Sequence, residues 1–298
     1  VKCPNCCPFP HNNSLPKIVR SGKFYRTSDS KVVQRFLCLI CKRTFSRATF
    51  SACYYQKKRK MNFKEASLLA SGVSQRRIGI LLNLTRKTVV RKFIFFANQA
   101  KLTRERDIEN RAKLCGFDPN VALDHVQFDE MESFVHSKFL PVSIPIAVDP
   151  KTRKVLGFRV ASMPAKGLLS KRSVKKYGKR KDERKQKAKE LLNEIRPILS
   201  ERVEFFTDQN PHYPGWIRRI HKNATHKTTP GRRGCVVGQG ELKEGGYDPL
   251  FMLNHTAAML RANMNRLFRR TWCTTKKIER LAAHIEIYVQ YHNQVLIT

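Results

Sequence analysis

The residues of this chain best suited to chemistry are Asp129 and Asp208, because each acid ends an apolar run of the kind that forms a β-strand. Two carboxylates that a sheet places side by side can hold a divalent cation, and such a site can activate water against a phosphodiester. The chain carries 59 Lys and Arg residues against 23 Asp and Glu, a formal net charge of +36. A surface this basic favours a polyphosphate partner, because binding releases counterions. The pattern therefore predicts a metal-dependent enzyme that acts on DNA.

The length and composition bound the fold. At 298 residues and 41% hydrophobic content, the chain is long enough for one substantial domain and one or two small ones. Its longest apolar stretch, residues 139–148, contains Pro141 and Pro145 and is shorter than the roughly 20 residues of a membrane-spanning helix. No membrane segment and no secretory signal are expected. An anionic membrane surface or a solvated tail would also explain the charge, but the basic residues lie in patterned, apolar-rich segments, which favours nucleic acid.

The chain has nine cysteines, and four of them form two close pairs with the spacing C-x2-C. These four are Cys3, Cys6, Cys38 and Cys41. Two such pairs typically complete a tetrahedral sulfur shell around structural zinc in a reducing compartment. Cys7 and His11 are alternative ligands, and short strands with a turn at Ser21 and Gly22 are predicted between the pairs. Residues 1–56 are therefore expected to form a zinc ribbon that contacts phosphate.

From residue 63 the apolar pattern becomes helical, with helices predicted at 63–70, 75–82 and 86–96. Gly72 ends the first helix, and Ser74 and Thr85 are N-caps of the second and third. Asn83, a residue that tolerates the left-handed conformation, makes the turn, and Gly79 lets two helices approach closely. This layout predicts a helix-turn-helix module over 57–116, although an ordinary three-helix bundle has the same periodicity.

The third helix and the segment before the first helix are rich in cations. The predicted DNA-binding residues are Arg86, Lys87, Arg91, Lys92, Lys57, Lys58 and Arg59. A recognition helix enters the major groove, and basic flanks contact phosphate, so these cations favour DNA binding over a simple bundle.

Beyond residue 117 the pattern predicts a mixed α/β domain. Strands are expected at 121–129, 140–148, 154–163 and 203–207, a tight turn at 149–152, and helices at 183–199, about 254–270 and 276–291. Three consecutive antiparallel strands, a helix, a further strand and closing helices are the order of an RNase H-like domain. The predicted fold class is thus α/β multidomain, with a zinc β-ribbon (1–56), a helix-turn-helix module (57–116) and an RNase H-like mixed α/β catalytic domain (117–298).

Three motifs and the C-terminal region resemble a known family. The motifs are FDEMESFV at 128–135, DPKTRKVLGF at 149–158 and FTD at 206–208, and the C-terminal run includes Leu260, Arg261, Arg266, Leu267, Arg269, Arg270, Thr271, Lys276 and Lys277. They are similar to the small bacterial insertion-sequence transposases of the DDE class, with the insertion sequence one type as the closest likeness. With the ribbon and the helix-turn-helix in front, the resemblance covers nearly the whole chain.

The resemblance implies DNA strand cleavage and strand transfer by two-metal catalysis, with Mg2+ or Mn2+ beside a structural Zn2+. Asp129 would bridge the two metal ions and Asp208 would hold one of them. The implied partners are double-stranded DNA, both transposon ends and target, in a homodimer or a higher synaptic oligomer. The implied location is the bacterial cytoplasm, in association with the nucleoid, and no membrane partner is expected.

The third metal ligand of the family is a Glu at the start of the helix that carries the Arg-rich run, where this chain has Asn254. An amide oxygen coordinates magnesium without bringing charge, so a lower metal affinity is expected than with Glu. Asp248, Glu241 and His255 are alternatives, with Glu244 nearby. Two other interpretations stay open: a catalytically degenerate, sequence-specific DNA-binding protein derived from a transposase, and a nuclease that cuts DNA without joining it.

A second basic region lies between the predicted third and fourth strands. Residues 166–190 hold 12 Lys and Arg residues against three acids, and part of this segment is predicted to be a mobile loop that grips DNA phosphates. Trp272 could stack on a base, although a core position is commoner for tryptophan. His212, His221 and His226 follow Asp208, where a histidine could contact the scissile phosphate; surface positions are the simpler interpretation.

Overall fold

The computed structural model describes residues 2–5, 18–230, 248–268 and 273–297. The chain divides into two compact units, Val1–Glu65 and Ala66–Thr298. Several residues named above lie outside the described ranges: Cys6, Cys7, His11, Glu241, Glu244, Arg269, Arg270, Thr271 and Trp272. The domain boundaries expected after residues 56 and 116 stay predictions.

The first unit contains a three-stranded antiparallel sheet. Its strands are β1 (Ile18–Arg26), β2 (Lys31–Cys38) and β3 (Thr44–Ser46), hydrogen-bonded in that order. The predicted turn at Ser21 and Gly22 is wrong, because β1 runs through these residues and pairs with β2 on both sides of them. The register shifts between Arg20 and Lys23, and Gly22 has a φ of 73°, as expected for a β-bulge. The hairpin turn lies instead between the end of β1 and the start of β2.

Three helices follow the sheet. They are α1 (Asn62–Ala70), α2 (Gln75–Leu81) and α3 (Arg86–Phe117). Ser74 and Thr85 cap α2 and α3 as predicted, because their side chains accept hydrogen bonds from backbone N–H groups in the first turns. Asn83 has a φ of 48° and makes the predicted turn. Gly79 packs at this turn, where an added Cβ would lie 3.0 Å from the carbonyl oxygen of Leu84.

The third helix is much longer than predicted. The prediction that ends it at residue 96 is wrong, because α3 continues to Phe117. Phe93, Ala97, Ala100 and Arg104 are buried at helical spacing, so one packed stripe continues past the predicted end. This stripe packs against α8 (Ile278–Tyr291).

A six-stranded mixed sheet forms the centre of the second unit. Its strands are β4 (Leu123–Phe134), β5 (Pro141–Val148), β6 (Val155–Phe158), β7 (Ala161–Ser162), β8 (Leu199–Asp208) and β9 (Thr225–Thr229). The strand order is β6-β5-β4-β8-β9, with β7 paired to β5. β5 is antiparallel to β4 and β6, whereas β8 is parallel to β4 and β9. The predicted third strand is divided into β6 and β7, and β9 was not predicted.

Helices flank this sheet. Besides α8 they are α4 (Leu169–Tyr177), α5 (Arg184–Ile195), α6 (Tyr213–Ile220) and α7 (Phe251–Asn263). Part of residues 166–190 is helical, in α4 and the start of α5, and the mobility expected of another part of the segment stays a prediction. The Ser173 hydroxyl donates to the Phe139 carbonyl at 2.7 Å, and the Arg180 guanidinium donates to the Pro141 carbonyl at 2.7 Å. These bonds tie the basic segment to the sheet, and they depend on neighbours that periodicity does not reveal.

The sheet has a hydrophobic core on each face. One face packs against α7 and α8, and its buried residues include Met131, Ile144, Leu260 and Tyr288. The other face packs against α5 and α6, and its buried residues include Phe128, Leu191, Phe205 and Trp216. Successive side chains of a strand point to opposite faces, so β4 contributes to both cores. Within the described ranges, no helix combines the length and the apolar character needed to cross a membrane.

Candidate metal centres and nucleic-acid surface

Three of the four predicted zinc ligands converge in the first unit. Cys3 and Cys38 are 2% and 0% exposed, and together with Cys41 their Sγ atoms all lie within 4.8 Å of one another. The Sγ atoms of Cys3 and Cys41 are 3.6 Å apart, and the Asn5 N–H points to the Cys3 sulfur at 3.4 Å. Two buried thiols and a half-buried third at this spacing suit a thiophilic metal ion such as zinc. The predicted fourth ligand, Cys6, lies outside the described residues.

The two predicted catalytic acids are brought together by the central sheet. In the parallel pair of β4 and β8, Gln127 lies opposite Phe206. Asp129 and Asp208 each follow this pair by two residues, and side chains two apart along a strand point to the same face. Burial raises the pKa of Asp129, and the charge of Asp208 raises it as well. Residues almost 80 positions apart in sequence thus share one site.

The Asp129 carboxylate has defined hydrogen-bond donors. Its Oδ1 atom accepts the backbone N–H of Glu130 at 2.6 Å and the hydroxyl of Tyr213, in α6, at 2.9 Å. Burial is the largest influence on Asp129 and raises its pKa, while these two donors and Arg261 act in the opposite direction. Burial and the charge of Asp129 likewise raise the pKa of Tyr213, so its hydroxyl stays protonated and serves as a donor.

The start of α7 is held against β4 by one side chain, Gln127. Its Nε2 group donates to the Pro249 carbonyl at 2.6 Å, and its Oε1 atom accepts the Leu253 N–H at 2.9 Å. The first turn of a helix leaves N–H groups without intrahelical partners. Leu250, the N-cap residue, makes no side-chain cap, so Gln127 supplies a cap from the sheet. The first turn of α7 is therefore attached to β4 at Gln127, two residues before Asp129.

Asn254 lies in this first turn of α7. Its Nδ2 group donates to the Asp248 carboxylate at 2.8 Å, which leaves Oδ1 as the atom of the amide suited to coordinate a cation. The other carboxylate oxygen of Asp248 accepts the Leu250 N–H at 2.9 Å, so Asp248 makes the turn that starts the helix. His255 Nδ1 lies 3.0 Å from the Arg153 guanidinium, in contact with the β5–β6 turn. Two of the alternatives predicted for the third ligand, Asp248 and His255, are among the described residues. Each of them already contacts other protein groups.

Arg261 is a further charged residue of α7 near the site. It follows Asn254 by seven residues, two helical turns, so both lie on the same face of the helix. Its positive charge lowers the pKa of Asp129. Around the two aspartates, residues 2–5, 18–230, 248–268 and 273–297 provide no third Asp, Glu, His or Cys close enough to complete a three-donor cluster.

A cleft of about 530 Å³ opens beside Asp208. It is lined by Lys166, Arg184, Asp208, Gln209, Asn210, Pro211 and His212. Lys166 forms an ion pair with Glu132 at 2.6 Å, and Arg184 forms one with Asp182 at 2.7 Å. Burial raises the pKa of Glu130, and the charges of Arg184 and Lys166 act in the opposite direction. The lining of the cleft thus contains one acid, Asp208, and two cations, Lys166 and Arg184.

The three histidines after Asp208 differ in position. His212 lines the cleft, and its ring is stacked with the Trp216 ring at 5.9 Å. His226 Nε2 lies 2.8 Å from the Thr207 hydroxyl, and His221 is buried against Phe205. Of the three, only His212 lines the cleft beside Asp208.

The helix-turn-helix residues divide by exposure. Arg86, Lys87 and Arg91 are exposed on the first turns of α3. Lys92 is only 6% exposed, and its contact with DNA stays a prediction. Its position follows from the helical stripe, because residue 92 is adjacent to the buried Phe93 and lies three after the buried Val89. In the preceding segment Lys57 and Lys58 are exposed, and Arg59 donates to the Tyr54 carbonyl at 2.8 Å.

Two residues that hydrogen-bond within the candidate site were missed from sequence, Tyr213 and Gln127. A polar residue between apolar neighbours in β4 was the only signal of Gln127, and a tyrosine five residues after Asp208 was the only signal of Tyr213. Neither signal was sufficient, because each residue makes its hydrogen bonds to a partner in a distant part of the chain. Comparison with protein-family models and with curated proteins finds no match for this chain.

Proposed function

We propose that this chain is a DDE-type transposase, which cleaves DNA at the ends of an insertion sequence and transfers the strands to target DNA. The observation that carries the proposal is the position of Asp129 and Asp208, each two residues beyond the paired positions Gln127 and Phe206 on adjacent parallel strands. The sheet order also supports an RNase H-like catalytic domain. The antiparallel strand β5 lies between β4 and β6, and β8 and β9 lie on the other side of β4 and run parallel to it.

The metal ligands we propose are Asp129, Asp208 and Asn254. A bound Mg2+ or Mn2+ supplies activation of water and of a DNA 3′-hydroxyl for attack on phosphorus. The donor set fits such a cation, because two neighbouring carboxylates repel each other and an ion between them removes this repulsion. Asn254 contributes a neutral oxygen, which hard cations accept. Arg261, on the same side of α7, provides positive charge for the anionic substrate.

The remaining basic surfaces support DNA as the substrate. Arg86, Lys87 and Arg91 are exposed at the start of a helix that follows a helix-turn-helix turn, the position from which side chains reach base edges in the major groove. Lys166 and Arg184 border the cleft at Asp208, where they would contact the DNA backbone. The cysteine cluster would hold structural Zn2+ in a ribbon. We further propose a homodimer or higher synaptic oligomer, because two DNA ends must be joined.

The test is a cleavage and joining assay with Mg2+ or Mn2+ on DNA that carries the element's own ends. Wild-type protein is compared with Asp129→Ala, Asp208→Ala and Asn254→Ala, and Asp124→Ala, an exposed acid at the start of β4, serves as the matched control. The three site variants are expected to lose joining and Asp124→Ala to retain it. Joining that persists in Asp129→Ala would reject the proposal, and cleavage without joined product would identify a nuclease.

A second candidate is a catalytically degenerate, sequence-specific DNA-binding protein. The observation in its favour is that the described residues supply an amide in place of a third carboxylate. In this case the wild-type protein would bind the ends without cutting them, and Asp129→Ala would change no activity. Arg91→Ala would weaken binding in both cases, so it serves as the positive control for recognition.

A further inference from the structure

The Tyr213 hydroxyl lies among acidic groups inside the second unit. Tyr213 is 1% exposed, and its ring packs edge-on against Phe128, with the ring centroids 5.1 Å apart. The hydroxyl donates to Asp129 Oδ1 at 2.9 Å and accepts the Glu130 N–H at 3.1 Å. The charges of Asp129, Glu130 and Asp208 all act on it. A buried tyrosine needs one hydrogen-bond partner, and here that partner is a candidate metal ligand.

These contacts divide the two oxygens of Asp129. A carboxylate oxygen has about two lone-pair sites. On Oδ1 both are used, one by the Tyr213 hydroxyl and one by the Glu130 N–H. The Oδ2 atom therefore remains as the coordinating oxygen, in an orientation set by a rigid aromatic ring.

We propose that Tyr213 is a positioning residue that occupies Oδ1 of Asp129 and presents Oδ2 alone to the catalytic cation. This inference rests on the proposed function, because it assumes that Asp129 binds metal. Under this proposal Asp129 would coordinate the cation through one oxygen, and Tyr213 would affect metal binding without touching the ion. Partners that orient a ligand typically change metal affinity about 10- to 100-fold when removed.

The test is metal binding without DNA, in the full chain with its cysteine site first saturated with zinc. Mn2+ is titrated calorimetrically into wild type, Tyr213→Phe, Asp129→Ala and the double variant. Tyr213→Phe keeps the ring that packs on Phe128 and removes only the hydroxyl. The matched control is Tyr288→Phe, the same change at a fully buried tyrosine of α8.

We expect Tyr213→Phe to weaken Mn2+ binding on the order of 10-fold, with a wild-type circular dichroism spectrum, and Tyr288→Phe to leave it unchanged. In the Asp129→Ala background the Tyr213 change should have no further effect. Wild-type affinity in Tyr213→Phe would overturn the inference. Loss of fold in Tyr213→Phe, equal weakening in Tyr288→Phe, or an additive loss in the double variant would overturn it too, since each indicates a packing role. Wild-type affinity in Asp129→Ala would instead reject the proposed metal site itself.

Discussion

At the scale of single residues, the site is built from side chains whose ordinary chemistry is changed by their neighbours. Asp129 is an acid like any other in sequence, but burial and Asp208 raise its pKa while Glu130 and Tyr213 donate to it. Cys3, Cys38 and Cys41 are likewise defined by convergence, because their sulfurs come within 4.8 Å from separate parts of the chain. What each residue does therefore depends on partners that are distant in sequence.

The cysteine cluster leads to a direct prediction about metal content. Cys38→Ser should abolish binding of one zinc ion per chain and unfold the first unit, because metal binding and folding are coupled when thiolates form most of a small core. The measurement is zinc content by atomic absorption together with circular dichroism. Cys53→Ser is the control, since Cys53 is outside the cluster and accepts a bond from Asn62. Full zinc content in Cys38→Ser would contradict the assignment.

The cleft cations provide a second prediction. Lys166→Ala should lower the salt dependence of DNA binding, with the slope of log K against log salt decreasing by about 0.9 for one lost phosphate contact. Lys101→Ala, an exposed lysine of α3 that pairs with Glu105 at 3.8 Å, is the matched control and should leave the slope unchanged. Fluorescence anisotropy on duplex DNA at several salt concentrations measures both. The same decrease in both variants would show that the cleft has no special part in binding.

At the scale of secondary-structure elements, the site depends on how a strand and a helix are joined. β4 carries Asp129 and, two residues earlier, Gln127, whose amide holds the first turn of α7. α7 in turn carries Asn254 and Arg261. One side chain thus ties the strand that carries Asp129 to the helix that carries Asn254.

We expect Gln127→Ala to lower the free energy of unfolding by about 1–3 kcal/mol, because the Pro249 carbonyl and the Leu253 N–H lose their partner. Faster hydrogen exchange at the Leu253 amide and weaker Mn2+ binding should accompany this loss. Denaturant unfolding and exchange measured by NMR provide the comparison. The control, Gln186→Ala, removes an exposed Gln186–Glu190 bond and should change stability by less than about 0.5 kcal/mol. Unchanged Leu253 exchange in Gln127→Ala would refute the capping role.

At the scale of the whole molecule, α3 connects the helix-turn-helix turn to the layer behind the central sheet. Arg104, 8% exposed, donates to Glu286 of α8 and to Glu194 of α5, each at 2.6 Å. Near the other end of α3, Phe93 packs on His284, which is within hydrogen-bond distance of the Leu69 carbonyl at 2.9 Å. The helix α3 and the sheet with the aspartates therefore belong to one packed unit.

Breaking the Arg104 network should destabilise this unit strongly. Arg104→Met is expected to cost about 3–5 kcal/mol, because it leaves the buried Glu286 without its partner. Adding Glu286→Gln removes the uncompensated charge and should recover part of the loss. Denaturant unfolding of both variants is the measurement. A single variant as stable as wild type, or a double variant less stable than the single one, would contradict this account.

The buried His284 makes stability depend on pH. Burial, together with the charge of Arg266, lowers the pKa of His284 from 6.5 to about 4, while the hydrogen bond to the Leu69 carbonyl acts in the opposite direction. As pH falls from 6.5 toward 4 the unfolded chain binds a proton that the folded chain excludes, so stability falls across this window, by at most about 3 kcal/mol. His284→Gln, which keeps an N–H donor for Leu69 but does not titrate, should show a shallower decrease. The exposed control His136→Gln should retain the wild-type slope, and equal slopes in wild type and His284→Gln would disprove the assignment.

Local chemistry made much of the fold predictable. Ser74, Thr85 and Asn83 mark the ends of α2 and α3 because capping and left-handed conformation depend on one residue and its immediate neighbours. The strands that carry Asp129 and Asp208 were predictable in part, because each contains apolar β-forming residues, although β4 continues to Phe134, beyond the predicted end at residue 129. The cysteine spacing was a local signal as well. These features are encoded within a few residues, and so they were available without the tertiary structure.

The tertiary structure alone decided the features that depend on distant partners. Gly22 makes a bulge and not a turn because β2 pairs across it, and α3 continues beyond residue 96 because α8 covers its stripe. Tyr213 and Gln127 became part of the site only when α6 and α7 were packed against β4, since a side chain's hydrogen-bond partner more than 80 residues away leaves no mark on local sequence. The sequence by itself determined the donors, and packing determined which of them meet.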